Sequence, residues 1–479
     1  MKKVIRYILL IPAASLIFTG CTKFSDDFNT SPNQPTKASN PQLLTYAITQ
    51  LQYTLETPYS VLYAQQLSDK IYTDNSRYTT TNFDFYWIYS GPLINLEAIL
   101  KSDIKNDENG SEANQYAVAR ILKAYYFWYA TDRWGDIPYS EALKGEDKFT
   151  YKYDSQKDIY DALFKELKAA AAQIDNGKGV TGDILYNGEM ENWRRFANSI
   201  RLLMALRLSK VDAERGKAEF TDALSSGVFT DNDQSAVYRH LPESTNENYW
   251  YNVFDVLNRK WYCISEPLVN YMKPLGDPRL KTFADPTASN GEYVGMPYGL
   301  EANAAGNIQA ANVSFLGAKM RQQDAPSYLV TYPEVLFAIA EAAKTGWIPG
   351  GNAEAGNNYK LAVENSVKQW NNNDETGLST FMNQPSVKYS SAGALKQIGY
   401  QKWVHLYLNG YEAWAEWRRT GYPVLSPAPD NNNIPIPRRQ GYPTKEPNIN
   451  SVNYKAAVAA QPGLNGKDDL TGRVWWDKP

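Results

Sequence analysis

A chain of 479 residues is longer than one hydrophobic core usually supports, so its size admits either a large helical-repeat body or two lobes. Its 49 Lys and Arg against 52 Asp and Glu leave a net charge of -3, which makes no broad positive surface for a phosphate backbone and excludes nucleic acid as the expected partner. Aromatic residues are abundant, with 35 Tyr, 13 Trp and 16 Phe. Many stand beside Asn, Asp and Thr, a mixture suited to flat amphipathic ligands such as sugars or peptides.

At the N-terminus, Lys2, Lys3 and Arg6 precede an apolar stretch over 7–18, and the small pair Thr19-Gly20 precedes Cys21, the pattern of a signal peptide over 1–20. The stretch is too short, and too interrupted by Pro12, to span a bilayer, which takes roughly 20 apolar residues. Leu16-Ile17-Phe18-Thr19-Gly20 before Cys21 reads as a lipobox, with Phe18 where Leu is commoner, so lipid attachment is expected at Cys21. Two or more acyl chains on one Cys anchor a protein stably, each buried CH₂ contributing about 0.8 kcal/mol. With Cys21 lipidated, Cys263 is the only thiol left and no intrachain disulfide can form. Residues 21–38, with Asp26, Asp27, Pro32 and Pro35, read as a lipidated tether lifting the body off the membrane.

The spacing of apolar residues after Asn40-Pro41 predicts a helix over 40–67. Further helices are predicted over 86–101, kinked at Gly91-Pro92, and over 111–133, 155–174, 190–210, 213–225, 327–345, 353–370 and 394–419. No run offers a convincing series of alternating strands. The helix over 111–133 mixes small and large apolar residues, as stacked helix pairs do. Residues 227–326 break into turn-rich, aromatic-rich sequence, and a long irregular segment of this kind is more often functional than ornamental. The Pro- and Asn-rich tail over 421–479 ends in Trp475-Trp476-Asp477, rings costly to expose, and is expected to wrap on the body. The expected organisation is one domain over 39–479, with a helical scaffold over about 39–226 and 327–420, an irregular binding region between them and the wrapped tail.

Taken in order, Ala124-Tyr125-Tyr126-Phe127 with Asp132-Arg133-Trp134-Gly135-Asp136, then Trp193-Arg194-Arg195-Phe196, resemble N-terminal signatures of the SusD/RagB family. Ser327-Tyr328-Leu329 with Ala340-Glu341-Ala342 is similar to its central helix, Gly410-Tyr411-Glu412 through Trp417-Arg418-Arg419-Thr420-Gly421 to its late one, and Ile436-Pro437-Arg438-Arg439 completes the series. The closing Trp-Trp-Asp resembles one branch of that family. The resemblance implies a mainly α fold of four tetratricopeptide-like helix pairs carrying an irregular ligand-binding region. It also implies no catalysis and no cofactor, and an outer-membrane lipoprotein, facing the cell exterior, that acts as a lid on a SusC-like TonB-dependent barrel. Its known ligands are mostly glycans, with peptides for some members.

The motif residues themselves read as scaffold. Asp132, Arg133 and Asp136 suit local capping and pairing at a helix end, and the two Trp-Arg-Arg sites suit stacking plus ion pairs with buried carboxylates such as Glu341 or Glu412. Ligand-binding candidates lie where rings alternate with short polar groups, because a sugar packs its C–H face on a ring while its hydroxyls need fixed donors and acceptors. They are Tyr72, Arg77, Tyr78, Phe83 and Trp87; then Asn248, Tyr249, Trp250, Trp261 and Tyr262; then Tyr293 and Tyr298. For each of them, burial in the core is the alternative reading. The rival readings are an oligopeptide receptor of the same fold and an envelope scaffold with no small ligand. Only His240 and His405 exist, and no zinc spacing, Gly-x-Ser-x-Gly elbow or phosphate-binding Gly loop occurs, so neither enzyme nor metal centre is expected. The Asn/Asp-rich loop 371–375 is the place where calcium is weighed, and its spacing departs from the EF-hand.

Overall fold

In the computed structural model, which describes residues 38–103, 108–144 and 150–479, the first helix begins as expected. The signal peptide, Cys21 and almost all of the tether lie outside the described residues. Helix α1 (Asn40–Thr49) opens with Gln42 Oε1 accepting the Ser39 N–H at 2.8 Å. It does not run on to residue 67. Thr57 is extended ahead of Pro58, which starts α2 (Pro58–Tyr63), because proline opposes a helical residue before it and lacks the N–H that helix continuation needs. The chain then enters β1 (Leu67–Asp69). The expected kink at Gly91-Pro92 is a π-turn over Tyr89–Leu93, which accommodates the proline ring and leads into α3 (Ile94–Lys101).

Side-chain caps fix the next starts. Ser111 accepts from the Asn114 N–H ahead of α4 (Glu112–Trp134), and Ser155 from the Asp158 N–H ahead of α5 (Gln156–Gln173). After α6 (Met190–Arg207), Asp212 caps α7 (Ala213–Ser225) in the same way. The predicted helix over 327–345 is a correction: Ser327–Val330 form β4, and α9 covers only Tyr332–Lys344, after an extended Thr331. Tyr328, Leu329 and Val330 favour a strand, and β2 (Ala236–Tyr238) supplies its antiparallel partner, Tyr238 opposite Ser327. Within the irregular region, Ser265-capped α8 (Glu266–Leu275) was not anticipated. Beyond α10 (Gly351–Trp370), the predicted helix over 394–419 divides into α11 (Ala394–His405) and α12 (Gly410–Thr420), with Leu408 left-handed at φ 64° between them.

The pairs α4/α5, α6/α7, α9/α10 and α11/α12 pack in succession, α6 against α9, and α12 closes on α2. This is the mainly helical architecture of stacked pairs that the sequence leads one to expect. Antiparallel pairing of β1 with β3 (Tyr262–Ile264) ties the excursion over 64–93 to the irregular region.

At the centre of the stack Arg207 is fully buried, bonded to Asp132 at 3.2 Å, to Glu412 at 2.6 Å and to Glu416. Arg419 bridges Glu341 at 2.7 Å and Glu416 at 2.7 Å, so the late Trp-Arg-Arg site does pair with Glu341. Arg418 instead lies 3.6 Å above Trp414 and 4.6 Å above Trp476. At the early site Arg194 and Arg195 pair with the exposed Glu191 and donate to backbone carbonyls, Arg194 to Ile174 at 3.1 Å and Arg195 to Val228 at 3.0 Å. Asp132 is structural, but its partners are distant: Arg207, the Tyr160 hydroxyl and the Trp476 indole N–H at 2.8 Å.

That last bond holds the tail down. Trp476 is wholly buried. Trp476→Ala is expected to cost about 3 kcal/mol, read from the chemical-denaturation midpoint; an unmoved midpoint would mean that the tail merely lies on the body. In the loop weighed for calcium, Asp374 pairs with Lys281 at 2.7 Å and Glu375 with Lys368 at 3.2 Å, so its carboxylates are committed.

Candidate functional site

The β1–β3 pairing sets Asp69 opposite Tyr262 and brings the chain that follows β1 and the chain that precedes β3 to one edge. There Tyr72 and Trp261 meet edge to face, with ring centroids 4.9 Å apart. Tyr72 is 66% exposed, and its backbone is left-handed at φ 58°, a conformation that side chains larger than Gly or Asn rarely adopt without a compensating role. Half-buried Trp261 is held by its carbonyl, which accepts the Lys70 N–H at 2.6 Å, and the Arg259 guanidinium lies 4.8 Å from its ring centroid. Two rings and a cation thus present π faces and donors to solvent on a strand-backed edge.

The platform continues inward. Half-buried Tyr249 packs edge-on against Trp250 at 5.0 Å, and Trp250 against Tyr262 at 5.6 Å. The Tyr249 N–H donates to Glu56 Oε2 at 2.9 Å. Glu56 is a hub: its other oxygen accepts from the Ser327 hydroxyl and lies 2.6 Å from His240 Nε2. Serine here gives its proton to the carboxylate rather than to the imidazole, the wrong order for a nucleophilic relay. Trp87 forms a separate half-exposed ring pair with Tyr53 at 6.2 Å.

Several of the sequence candidates are buried. Tyr78 and Trp250 are each 1% exposed, and Phe83, Tyr262 and Tyr298 are buried too, so as placed they support the surface instead of forming it. Phe83 edges onto Tyr59 at 4.9 Å, and the Tyr298 hydroxyl donates to the Leu62 carbonyl at 2.7 Å. Asn248 is a cap: it accepts the Trp250 N–H at 2.8 Å and donates to the Ala325 carbonyl at 3.2 Å. Arg77 is held by Asp74 at 2.6 Å. Tyr293, half-buried, lies apart, its carbonyl accepting from Lys273. Tyr72, Trp261 and Tyr249 are brought together. Arg259 was missed, although its place two residues before Trp261 was the available signal.

The loop bearing Tyr72 is pinned from below, where buried Asp69 accepts the Ser76 N–H at 2.9 Å. Burial lifts the Asp69 carboxyl from 3.8 to about 7. Because the folded protein holds this proton more tightly than the unfolded chain, stability falls as pH rises from about 4 to about 7. Asp69→Asn keeps the acceptor. It should melt like the parent at pH 4 and above it at pH 8, by at most about 4 kcal/mol at roughly 1.4 kcal/mol per unit; equal melting at both pH values would contradict a neutral buried carboxyl.

Among the described residues no helix is long and apolar enough to cross a membrane. The model of the SusD-like family, described as starch-binding and associating with the outer membrane, matches residues 32–443. Among solved structures, a chitin-binding protein is 29% identical with a TM-score of 0.82, over 92% of this chain and 100% of that one. A SusD-like protein of the Bacteroidetes is 25% identical with a TM-score of 0.77, over 92% and 100%. A chitin-binding SusD homologue from Flavobacterium johnsoniae, 24% identical with a TM-score of 0.76 over 92% and 98%, shares the fold. No curated protein matches.

Proposed function

The chain belongs to the SusD-like family of starch-binding proteins that associate with the outer membrane, and from that premise we propose that it is a cell-surface receptor for an oligosaccharide or polysaccharide. In this reading lipid on Cys21 holds it in the outer membrane, facing outward, and it delivers ligand to a SusC-like TonB-dependent barrel. The observation that carries the reading is the platform of Tyr72, Trp261 and Arg259 at the β1–β3 edge. Rings of this kind pack against the C–H face of a pyranose, and the guanidinium donates to its hydroxyls. The chitin ligand in the name of the 29% identical structure supports a glycan over a peptide. Its family is one of binding proteins.

The test is calorimetric titration of the lipid-free protein, begun after the tether, with a panel of oligosaccharides and with an oligopeptide pool. Saturable heat from a saccharide that Tyr72→Ala abolishes would establish the receptor and its site. Heat from peptides alone would transfer the protein to the peptide-binding reading. Silence from both, repeated on protein copurified with its barrel, would favour a scaffold with no small ligand.

A further inference from the structure

On the inner side of the 248–262 segment a pocket of about 150 Å³ opens between the irregular region and the end of α10. Whole small-molecule sites run to roughly 300–1,000 Å³, so this one takes an end group and not a run of chain. Its apolar walls are Trp250, Tyr328, Trp370 and Tyr407. Of its polar lining, much is already committed. Glu56 accepts from Ser327 and Tyr249 and faces His240, and Asn248 caps the 249–251 turn. Four groups remain without a side-chain partner: the buried Gln369 Nε2, the amides of Gln322 and Asn372, and the ammonium of Lys319. Among the described residues, Glu56 is the only carboxylate in the lining.

We infer that this pocket is an end-on subsite for a carboxylate-bearing sugar residue, a uronate, of the glycan that the platform engages. The inference rests on the glycan-receptor reading. The free groups are three amides and a cation, a set that completes an anionic acceptor, and a buried N–H without an acceptor is costly to leave unmade. Charge decides against a neutral acetamido or hydroxymethyl group, which would leave Lys319 unused. The neighbouring Arg321 is not available, being held by Asp285 at 2.7 Å.

The experiment compares a trigalacturonide with the same trimer after reduction of its carboxyl groups, by calorimetry on the full lipid-free chain, with Lys319→Ala and Gln369→Leu beside Tyr72→Ala. The acidic trimer is expected to bind about tenfold more tightly than the reduced one. Lys319→Ala should erase that difference without weakening the neutral trimer, and Lys319 is exposed, so this variant folds. Tyr72→Ala should weaken both. Equal affinities for the two trimers, unmoved by Lys319→Ala, overturn the subsite while leaving the platform standing. So does the absence of carboxylate-dependent heat both from the trimer and from millimolar galacturonate. Displacement by acetyl-trialanine that needs Lys319 would overturn it in favour of a peptide carboxylate.

Discussion

Arg207→Ala is expected to cost roughly 3–5 kcal/mol, a large part of the 5–15 kcal/mol by which most proteins are stable, and to leave little cooperative unfolding transition. The residue joins three of the four helix pairs' elements through its carboxylate partners: Asp132 on α4, and Glu412 and Glu416 on α12. A buried pair is weak evidence of net stabilisation when compared with an apolar substitute, but removing one partner strands the other's charge. Here one guanidinium is shared by three carboxylates, so its loss strands more than one. Neighbouring cations relieve this only in part: Arg419 and Lys402 already serve Glu416, at 2.7 and 3.1 Å, and Lys402 stands 3.9 Å from Glu334. Burial and the nearby Glu412 push the Glu334 carboxyl well above the ordinary carboxylate range, whereas Arg419, Lys402 and Arg207 hold Glu416 well below it against its burial. Guanidinium denaturation followed by tryptophan fluorescence measures the loss. A midpoint within experimental error of the parent's would mean that water or rearrangement compensates the stranded acids. Glu412→Gln, which retains an acceptor for Arg207, should cost less.

The second large effect concerns ligand and leaves stability alone. Tyr72→Ala and Trp261→Ala are each expected to weaken saccharide binding at least tenfold, with the double variant near baseline, because the two rings form one surface and each orients the other. Tyr72 is mostly exposed, so its removal creates no cavity, and alanine keeps the Cβ that the left-handed backbone already carries, leaving that strain unchanged. Its melting temperature should stay within a degree or two of the parent's. Arg259→Ala should lower affinity less and reduce enthalpy more, since the guanidinium contributes directed hydrogen bonds rather than area. Trp250→Ala is the contrast: its ring is buried beneath the platform, and its loss should destabilise the fold by about 3–5 kcal/mol whether or not ligand is present. If Tyr72→Ala and Trp261→Ala bind as the parent does, the platform is not where glycan is held.

The scaffold and the platform thus divide the aromatic residues between them. Most rings of the family motifs line helix faces and pack on one another, as Tyr129 does on Tyr411 at 5.6 Å and Phe85 on Trp134 at 5.5 Å. The platform uses few rings, set outside the helix pairs in the loops that flank strands too short to form a layer of their own.

The amino-acid sequence by itself determined the helix pairs, because the signals that start and fill a helix are local: Ser111, Ser155 and Asp212 lie one turn from the amides they cap, and apolar periodicity repeats within each segment. It also carried the family, whose motifs follow in order along the chain. What only the tertiary structure decided depends on residues far apart. Strand β4 reads as helix until β2 supplies its ladder, and Arg207 reads as an ordinary helical arginine until α12 brings two glutamates to it. The site follows the same rule. Tyr72 and Tyr78 look alike in sequence, six positions apart in the same polar setting, yet one is solvent-facing and the other is core. Which ring faces solvent is set by the pairing of β1 with β3, a contact between segments nearly two hundred residues apart whose free energy no local pattern encodes.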